Sequence, residues 1–155
     1  MSEFPSVSQL IPHTEPMILI DRLVAWSPGR ATCGLQVRAG APFVEGDALE
    51  TAFTLEHMAQ SVAVCLGYEA YRGGRQTRTG MIVSCRGFEI HEPRVAVGVE
   101  LTIEASRLRS NDSTSHFECV VRTELASASA SDSASDSATI ANATLTLFYG
   151  ELPDR

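Results

Sequence analysis

The sequence predicts an α+β domain in which a curved antiparallel sheet of five to six strands wraps around one long helix. The stretch 47–72 contains no proline, has the character of one helix and is followed by Gly73-Gly74. Segments on either side of it are rich in β-branched residues or alternate between apolar and polar side chains, as strands do. Because only one helix is available to cover the apolar face of the sheet, the sheet is expected to curve around that helix.

The helix has a start signal and a stop signal. Asp47, followed three residues later by Glu50, forms a plausible capping box, and the double glycine after Arg72 is typical of a helix end. The sequence therefore predicts a helix over 47–72.

The strands fall before and after this helix. Two segments precede it, separated by a Ser-Pro-Gly turn, and the others follow it: 17–26, 31–37, 81–90, 95–107, 115–123 and 139–149. In one of them Phe117, Cys119 and Val121 alternate with polar residues, which is typical of a half-exposed antiparallel strand. The edge of the sheet that stays open favours pairing with a second copy of the chain.

A Ser/Ala-rich run of low complexity separates the last two strands. It buries too little apolar area to offset the entropy cost of ordering, so we interpret 125–138 as a mobile hairpin loop. With 155 residues, of which 44% are hydrophobic, the chain is predicted to form a single domain over 1–155 that requires no disulfide or metal.

Charge and composition exclude several classes of function. All 12 basic residues are arginines, 19 residues are acidic, and the net charge of −7 disfavours nucleic acid and anionic membranes as partners. No apolar run is long enough for a membrane span, and the N-terminal residues lack the features of a secretion signal. The four cysteines form no CxxC pair and are interpreted as buried free thiols, so we expect a cytoplasmic protein without a metal site.

One carboxylate lies on an apolar stripe of the predicted helix. The residues that share a face with Glu56 are small or apolar except for one: Ala52, Phe53, Ala59, Gln60 and Ala63. We therefore predict that Glu56 points into the interior, where a carboxyl suits general acid or base chemistry, and that Gln60 holds it by a hydrogen bond. The alternative is a core carboxyl that a neighbour satisfies.

The four histidines have different surroundings in the sequence. His57 lies on the opposite stripe of the helix and is interpreted as a solvated side chain, whereas His91 in a turn and His116 on the polar face of a strand are interpreted as residues without a functional role. His13 is different, because two prolines frame it and fix how the chain enters the first strand. His13 is therefore a candidate functional residue.

Two motifs together resemble those of the β-hydroxyacyl-acyl carrier protein dehydratases, which have the hotdog fold. A PHxxPM opening is formed by Pro12, His13, Pro16 and Met17, and an ExMAQ motif is formed by Glu56, Met58, Ala59 and Gln60. The resemblance covers 10–26 and 42–67, extends more loosely to Tyr149, and is greatest to the dehydratase-like branch of aryl-polyene biosynthesis.

The resemblance implies a hotdog fold assembled as a homodimer or higher homo-oligomer, or as a hetero-oligomer with another hotdog protein, with active sites at the subunit boundary. It implies removal of water from a 3-hydroxyacyl thioester to give a trans-2-enoyl thioester, with helix N-terminal amides stabilising the enolate-like oxygen. It implies no cofactor, because an acyl carrier protein presents the substrate on its phosphopantetheine. It also implies five substrate-binding residues: Pro16, Met17, Phe43, Phe53 and Ala59.

The sequence departs from this family just ahead of the helix. The Gly-His-Phe-Pro-Gly segment that supplies the family's catalytic histidine corresponds here to Gly46-Asp47-Ala48-Leu49. Two candidates for the base remain, namely His13 acting with Glu56, or Asp47 at the helix start. We favour His13, because imidazole titrates near neutral pH whereas an aspartate at a helix N-terminus is a weak base.

The absent histidine leaves three functions open. The leading one is a 3-hydroxyacyl-acyl carrier protein dehydratase, the second is a non-catalytic hotdog subunit that binds acyl chains or stabilises a partner, and the third is an acyl thioesterase. Arg72, Arg75 and Arg78 follow the helix, and they either contact the acidic carrier and its phosphate or simply complement the helix C-terminus.

Overall fold

A computed structural model describes residues 3–75, 80–124 and 137–148. Within these ranges the helix α1 spans Thr54–Arg72, and short 3₁₀ helices span Val7–Gln9 and Thr51–Phe53. The strands are β1 (Arg22–Ser27), β2 (Arg30–Gln36), β3 (Val44–Glu45), β4 (Ala48–Glu50), β5 (Met81–Ile90), β6 (Arg94–Ala96), β7 (Glu100–Ser110), β8 (Thr114–Glu124) and β9 (Ser137–Phe148). The main sheet has six strands in the order β1-β2-β7-β8-β9-β5, and a small sheet has the order β3-β4-β6.

The main sheet covers one face of α1. The helix contacts β2, β7, β8 and β9, and buried apolar side chains from both layers form one continuous core. Phe117, Cys119 and Val121 are fully buried on β8, as their alternation predicted. The prediction of an antiparallel sheet of five to six strands with one long helix is therefore confirmed, and the main sheet has six.

Most of the predicted strands agree with the observed ones to within two residues at each end, and two of them differ by more. The segment predicted as 17–26 becomes a strand only at Arg22, because the amide of Leu19 donates to the side chain of Gln60 instead of to a neighbouring strand. The segment predicted as 95–107 is divided between β6 and β7. Gly98, with φ +97°, lies at the break, and its amide donates to the carbonyl of Val37.

The helix begins at Thr54, so the predicted start at Asp47 is wrong. Residues 48–50 instead form β4, in which Glu50 pairs with Arg94, and the carbonyl of Asp47 accepts a hydrogen bond from the amide of Val97. Pairing with a distant segment has therefore overridden the local capping signal. The residue preceding the helix is Phe53, which makes no side-chain cap. The stop at Gly73-Gly74 is confirmed, with Gly74 at φ +66°.

The remaining expectations concern the loop and the cysteines. Of the loop predicted at 125–138, residues 137 and 138 belong to β9, and 125–136 lie outside the described residues. Cys33, Cys65 and Cys119 are buried free thiols as predicted, whereas Cys85 is exposed on β5, so the prediction of burial is wrong there. Burial raises the pKa of Cys33 and Cys65 to about 12.

None of the helices in the described ranges is long and apolar enough to cross a bilayer.

Candidate active site

Glu56 does not point into the core as predicted. Its side chain is 37% exposed and lines an open cavity, whereas His57, which was expected to be solvated, is only 3% exposed. Both stripes of the helix carry small or uncharged residues, so periodicity alone did not show which one packs on the sheet. The face with Thr54, His57 and Ser61 is the buried one.

His13 and Glu56 lie side by side. The His13 Nε2 is 3.8 Å from the Glu56 Oε1, and the His13 side chain is 31% exposed. The His13 Nδ1 is buried and has no hydrogen-bond partner among the described residues. A histidine with a purely structural role is expected to pair its buried nitrogen, so this environment favours a role toward a ligand.

The N-terminal segment reaches the helix because of one close packing contact. Leu10 and Ile11 are buried against α1, and a Cβ atom placed on Gly67 would lie 1.9 Å from the Leu10 carbonyl oxygen. Only glycine allows this approach of the two backbones. Since His13 follows closely in the chain, the contact with Gly67 positions the imidazole over the helix.

Gln60 links Glu56 on the helix to the N-terminal segment that follows His13. Its Oε1 accepts a hydrogen bond from the Leu19 amide at 2.8 Å, and its Nε2 donates to the Met17 carbonyl at 2.7 Å and to the Glu56 Oε1 at 3.2 Å. The side chain is fully buried. The predicted Gln60–Glu56 hydrogen bond is therefore present, and the same amide also fixes the backbone that follows His13.

Replacing Gln60 with Leu is expected to lower the free energy of unfolding by about 2–4 kcal/mol, because it leaves the Leu19 amide and the Met17 carbonyl without partners. Chemical denaturation measures this loss. The control is Gln36→Leu, since the Gln36 side chain makes only an exposed 3.4 Å contact with the Gly98 carbonyl. Equal losses in both variants would contradict the role assigned to Gln60.

A cavity of about 630 Å³ runs beside α1 and contains the pair. His13 and Glu56 line it, and so does Ala59, one of the five residues expected to bind substrate. The other four lie outside its lining. Met17 and Phe53 are exposed near the start of the helix, and the ring of Phe43, which has φ +69°, stacks on that of Phe53 at 4.7 Å. Pro16 is also exposed.

Asp47 lies away from this site. It is an exposed residue between β3 and β4 and does not line the cavity, so its expected position at the helix start is wrong. Asp47 is not at the helix start because the residues that follow it pair with β6 as strand β4, so the helix begins only at Thr54. Of the two candidates for the base, the structure places only His13 beside Glu56.

The structure adds residues that the sequence did not suggest. Arg107 of β7 pairs with Glu69 of α1 at 3.2 Å, and both line the cavity together with Asn111 and Asp112. No local signal marks Arg107, because only the register of β7 in the sheet brings it against the helix.

The three arginines that were predicted to contact the carrier protein do not share one environment. Arg72 is exposed, with its guanidinium 5.1 Å from the centre of the Trp26 ring, and Arg75 lines the cavity. Arg78 lies outside the described residues.

His57 supports the start of the helix as a neutral side chain. Burial lowers its pKa from the ordinary value of 6.5, and this effect outweighs the backbone hydrogen bond to Phe53 and the nearby Glu56 carboxylate, which both act in the opposite direction. Its Nδ1 lies 3.1 Å from the Phe53 carbonyl, to which the neutral ring donates.

Stability is accordingly expected to fall as the pH drops below about 6.5, because the unfolded chain then takes up a proton that the folded chain resists. Denaturation measured between about pH 7.5 and about pH 5.5 should show a smaller loss for His57→Gln than for the wild type. His91→Gln, at an exposed position, serves as the control. An identical pH dependence in the wild type and His57→Gln would contradict this prediction.

The six-stranded antiparallel sheet packed on one long helix defines a protein of the hotdog class. The chain belongs to the ApeP-like family, since the sequence model of that family, described as ApeP dehydratase, matches residues 5–153.

Individual proteins of known description are similar to this chain over part or most of its length. The FabZ 3-hydroxyacyl-[acyl-carrier-protein] dehydratase of Staphylococcus haemolyticus is 31% identical over 90 residues, which is 54% of this chain and 62% of the relative. The FabZ of Ehrlichia canis is 25% identical over 124 residues, or 76% of this chain and 83% of the relative. A chain of the dehydratase heterocomplex ApeI:P from Xenorhabdus doucetiae superposes with a TM-score of 0.83 at 20% identity, covering 96% of this chain and 93% of that one.

Proposed function

We propose that this chain is a 3-hydroxyacyl-[acyl-carrier-protein] dehydratase, a lyase that converts fatty-acid-type or aryl-polyene-type 3-hydroxyacyl thioesters into trans-2-enoyl thioesters. The observation that carries the proposal is the 3.8 Å approach of the His13 Nε2 to the Glu56 Oε1 in an open cavity. The match to the ApeP-like family and the FabZ relatives support it. The substrate is carried on phosphopantetheine, and the reaction requires no further cofactor.

The two side chains divide the chemistry between them. His13 removes the proton from the carbon next to the thioester carbonyl, and Glu56 donates a proton to the hydroxyl that leaves from the next carbon. The electron pair of the broken C–H bond forms the new double bond, and the hydroxyl departs as water. Gln60 holds the Glu56 carboxyl in one orientation during this transfer.

The direct test is incubation of the purified chain with 3-hydroxyacyl thioesters of several lengths, followed by enoyl absorbance. Appearance of the enoyl product is the expected result. Absence of turnover at every chain length, both alone and with a second hotdog subunit, would contradict the proposal.

A second function is a non-catalytic acyl-binding subunit of a hotdog dehydratase. It is favoured by the absence of histidine from Gly46-Asp47-Ala48-Leu49, the position where the dehydratases carry one. This alternative predicts measurable binding of acylated carrier protein without chemistry. Enoyl formation by the chain alone would rule it out.

The edge strand β5 supports assembly with another hotdog chain. In the described main sheet β5 pairs only with β9, and it exposes Met81, Ile82 and Val83. An exposed apolar edge favours pairing with a further strand. We therefore infer a dimer or higher oligomer, either of this chain or with a different hotdog subunit. Val83→Lys should shift the oligomer toward monomer in light scattering, and an unchanged mass would contradict this interface.

The carrier protein is proposed to dock beside Arg72, Arg75 and Arg78. Arg75 lines the cavity and Arg72 is exposed, so both described arginines are accessible to an acidic partner. Charge reversal at Arg75 and Arg78 should weaken carrier binding in low salt, and unchanged affinity would reject the docking role. We also propose that the protein is located in the cytoplasm, which cell fractionation can check.

A further inference from the structure

The cavity has a second polar end, and the dehydration chemistry does not use it. His13 and Glu56 lie at one end, whereas Glu69 and Arg107 lie farther along α1. At about 1.5 Å of helix rise per residue, Glu56 and Glu69 are separated by about 20 Å. The reacting pair and the ion pair are therefore well apart along one cavity.

The helical surface between the two ends is apolar. Ala59, Ala63 and Leu66 are the residues of α1 that line the cavity between Glu56 and Glu69, and Ile82 and Leu147 line it from the sheet. A pantetheine arm carries amides that need hydrogen-bond partners, and these side chains offer none. The apolar surface instead suits a hydrocarbon chain that extends from the reacting carbons toward Arg107.

The Glu69–Arg107 pair is not an anion site. The Arg107 Nη1 lies 3.2 Å from the Glu69 Oε2, so the arginine charge is already balanced within the pair. The two side chains are only 22% and 33% exposed. An alkyl chain that reached past the apolar stretch would remove the remaining water from both charges, and desolvating an ion pair is unfavourable.

We propose that the Glu69–Arg107 ion pair limits the length of the acyl chain that the cavity accepts. This proposal rests on the proposed function, since it assumes that the acyl group reacts beside His13 and Glu56. It also assumes that a carrier docked at Arg72 and Arg75 of one subunit delivers its substrate to the cavity of another subunit in the proposed oligomer, because the acyl chain occupies the end of the cavity nearest Arg75. An extended peptide spans about 3.6 Å per residue, and each residue contributes three backbone bonds. An extended hydrocarbon chain therefore advances about 1.2 Å per bond. The limit is therefore expected on the order of 15 bonds from the reacting carbons.

The test measures binding of saturated acyl-pantetheine thioesters whose chains lengthen in steps of two carbons. Calorimetry on the protein in its native oligomer detects binding without requiring turnover. In the wild type, affinity is expected to rise with each step, by up to about fourfold per added CH₂ group, until the chain reaches the ion pair. Beyond that length the affinity should stop rising and then fall.

The decisive variant is Glu69→Leu combined with Arg107→Leu. Replacing an ion pair by apolar residues of similar size is usually tolerated, and the melting temperature of the variant confirms that it is folded. Its affinity should continue to rise past the wild-type limit, giving at least about tenfold tighter binding of the longest ligand, as two further buried CH₂ groups would provide. The matched control is Glu50→Leu with Arg94→Leu, an exposed pair outside the cavity lining, which should keep the wild-type limit.

Two results would overturn the proposal in distinguishable ways. The same length dependence in the wild type and the Glu69/Arg107 double variant would contradict the limit while leaving the acyl-binding function intact. Failure of every acyl ligand to bind would contradict the acyl-binding function as well. If the double variant is unfolded, Glu69→Gln combined with Arg107→Met removes both charges with nearly unchanged side-chain volume and is expected to extend the limit in the same direction. An unchanged limit in folded Glu69→Gln/Arg107→Met would also overturn the proposal.

Discussion

Glu56→Gln is expected to lower kcat for dehydration by about 10²–10⁴-fold, which is the contribution of a positioned general acid. The amide has the size of the carboxyl and can still bond to Gln60, but it cannot donate an acidic proton to the leaving hydroxyl. KM should change little, because the shape of the cavity is retained. Enoyl absorbance under saturating substrate measures the effect.

The matched control for this change is Glu118→Gln. Glu118 is an exposed residue of β8 and does not line the cavity, so the same exchange should leave kcat close to that of the wild type. If Glu56→Gln retains full activity while thermal unfolding shows both variants folded, Glu56 is a structural carboxyl and the assigned chemistry is wrong.

Gly67→Ala is expected to lower the free energy of unfolding by about 3 kcal/mol, at the upper end for overpacking. The added methyl group would stand 1.9 Å from the Leu10 carbonyl oxygen, so the helix and the N-terminal segment must separate. Because the displaced segment carries His13, activity should fall as well, even under conditions where the variant is folded. Thermal melting and the enoyl assay together measure both effects.

Gly73→Ala provides the comparison. Gly73 lies at the end of the same helix with φ −83°, and the nearest atom that a Cβ would meet is the Arg75 Nε at 3.0 Å, on a flexible side chain. This variant should keep near wild-type stability and activity. Equal behaviour of the two alanine variants would mean that the approach of Leu10 to Gly67 is not the constraint described here.

Much of the fold was predictable from local patterns. The helix end at Gly73-Gly74 and the strand 81–90 follow from a stop signal and from residue composition, and both agree with the structure. The approach of His13 to Glu56 was an expectation raised by the PHxxPM and ExMAQ motifs, and the structure gives it a distance of 3.8 Å.

Three differences between the expectations from sequence and the structure share one physical cause, which is that pairing and packing with distant segments outweigh local signals. Asp47 and Glu50 had the spacing of a capping box, yet β4 gains its backbone hydrogen bonds from β6. His57 looked solvated because both helix stripes are weakly apolar, and only the position of the sheet decides which one is buried. Arg107 meets Glu69 through sheet register, which a single sequence does not reveal.

Gln60 gives His13 and Glu56, the proposed base and acid, a common support. One buried amide fixes the carboxylate on the helix and the backbone at Met17 and Leu19, in the segment that carries the imidazole. A change at Gln60 is therefore expected to disturb the carboxylate and the N-terminal segment at once, whereas a change at Gly67 is expected to displace only the segment that carries His13.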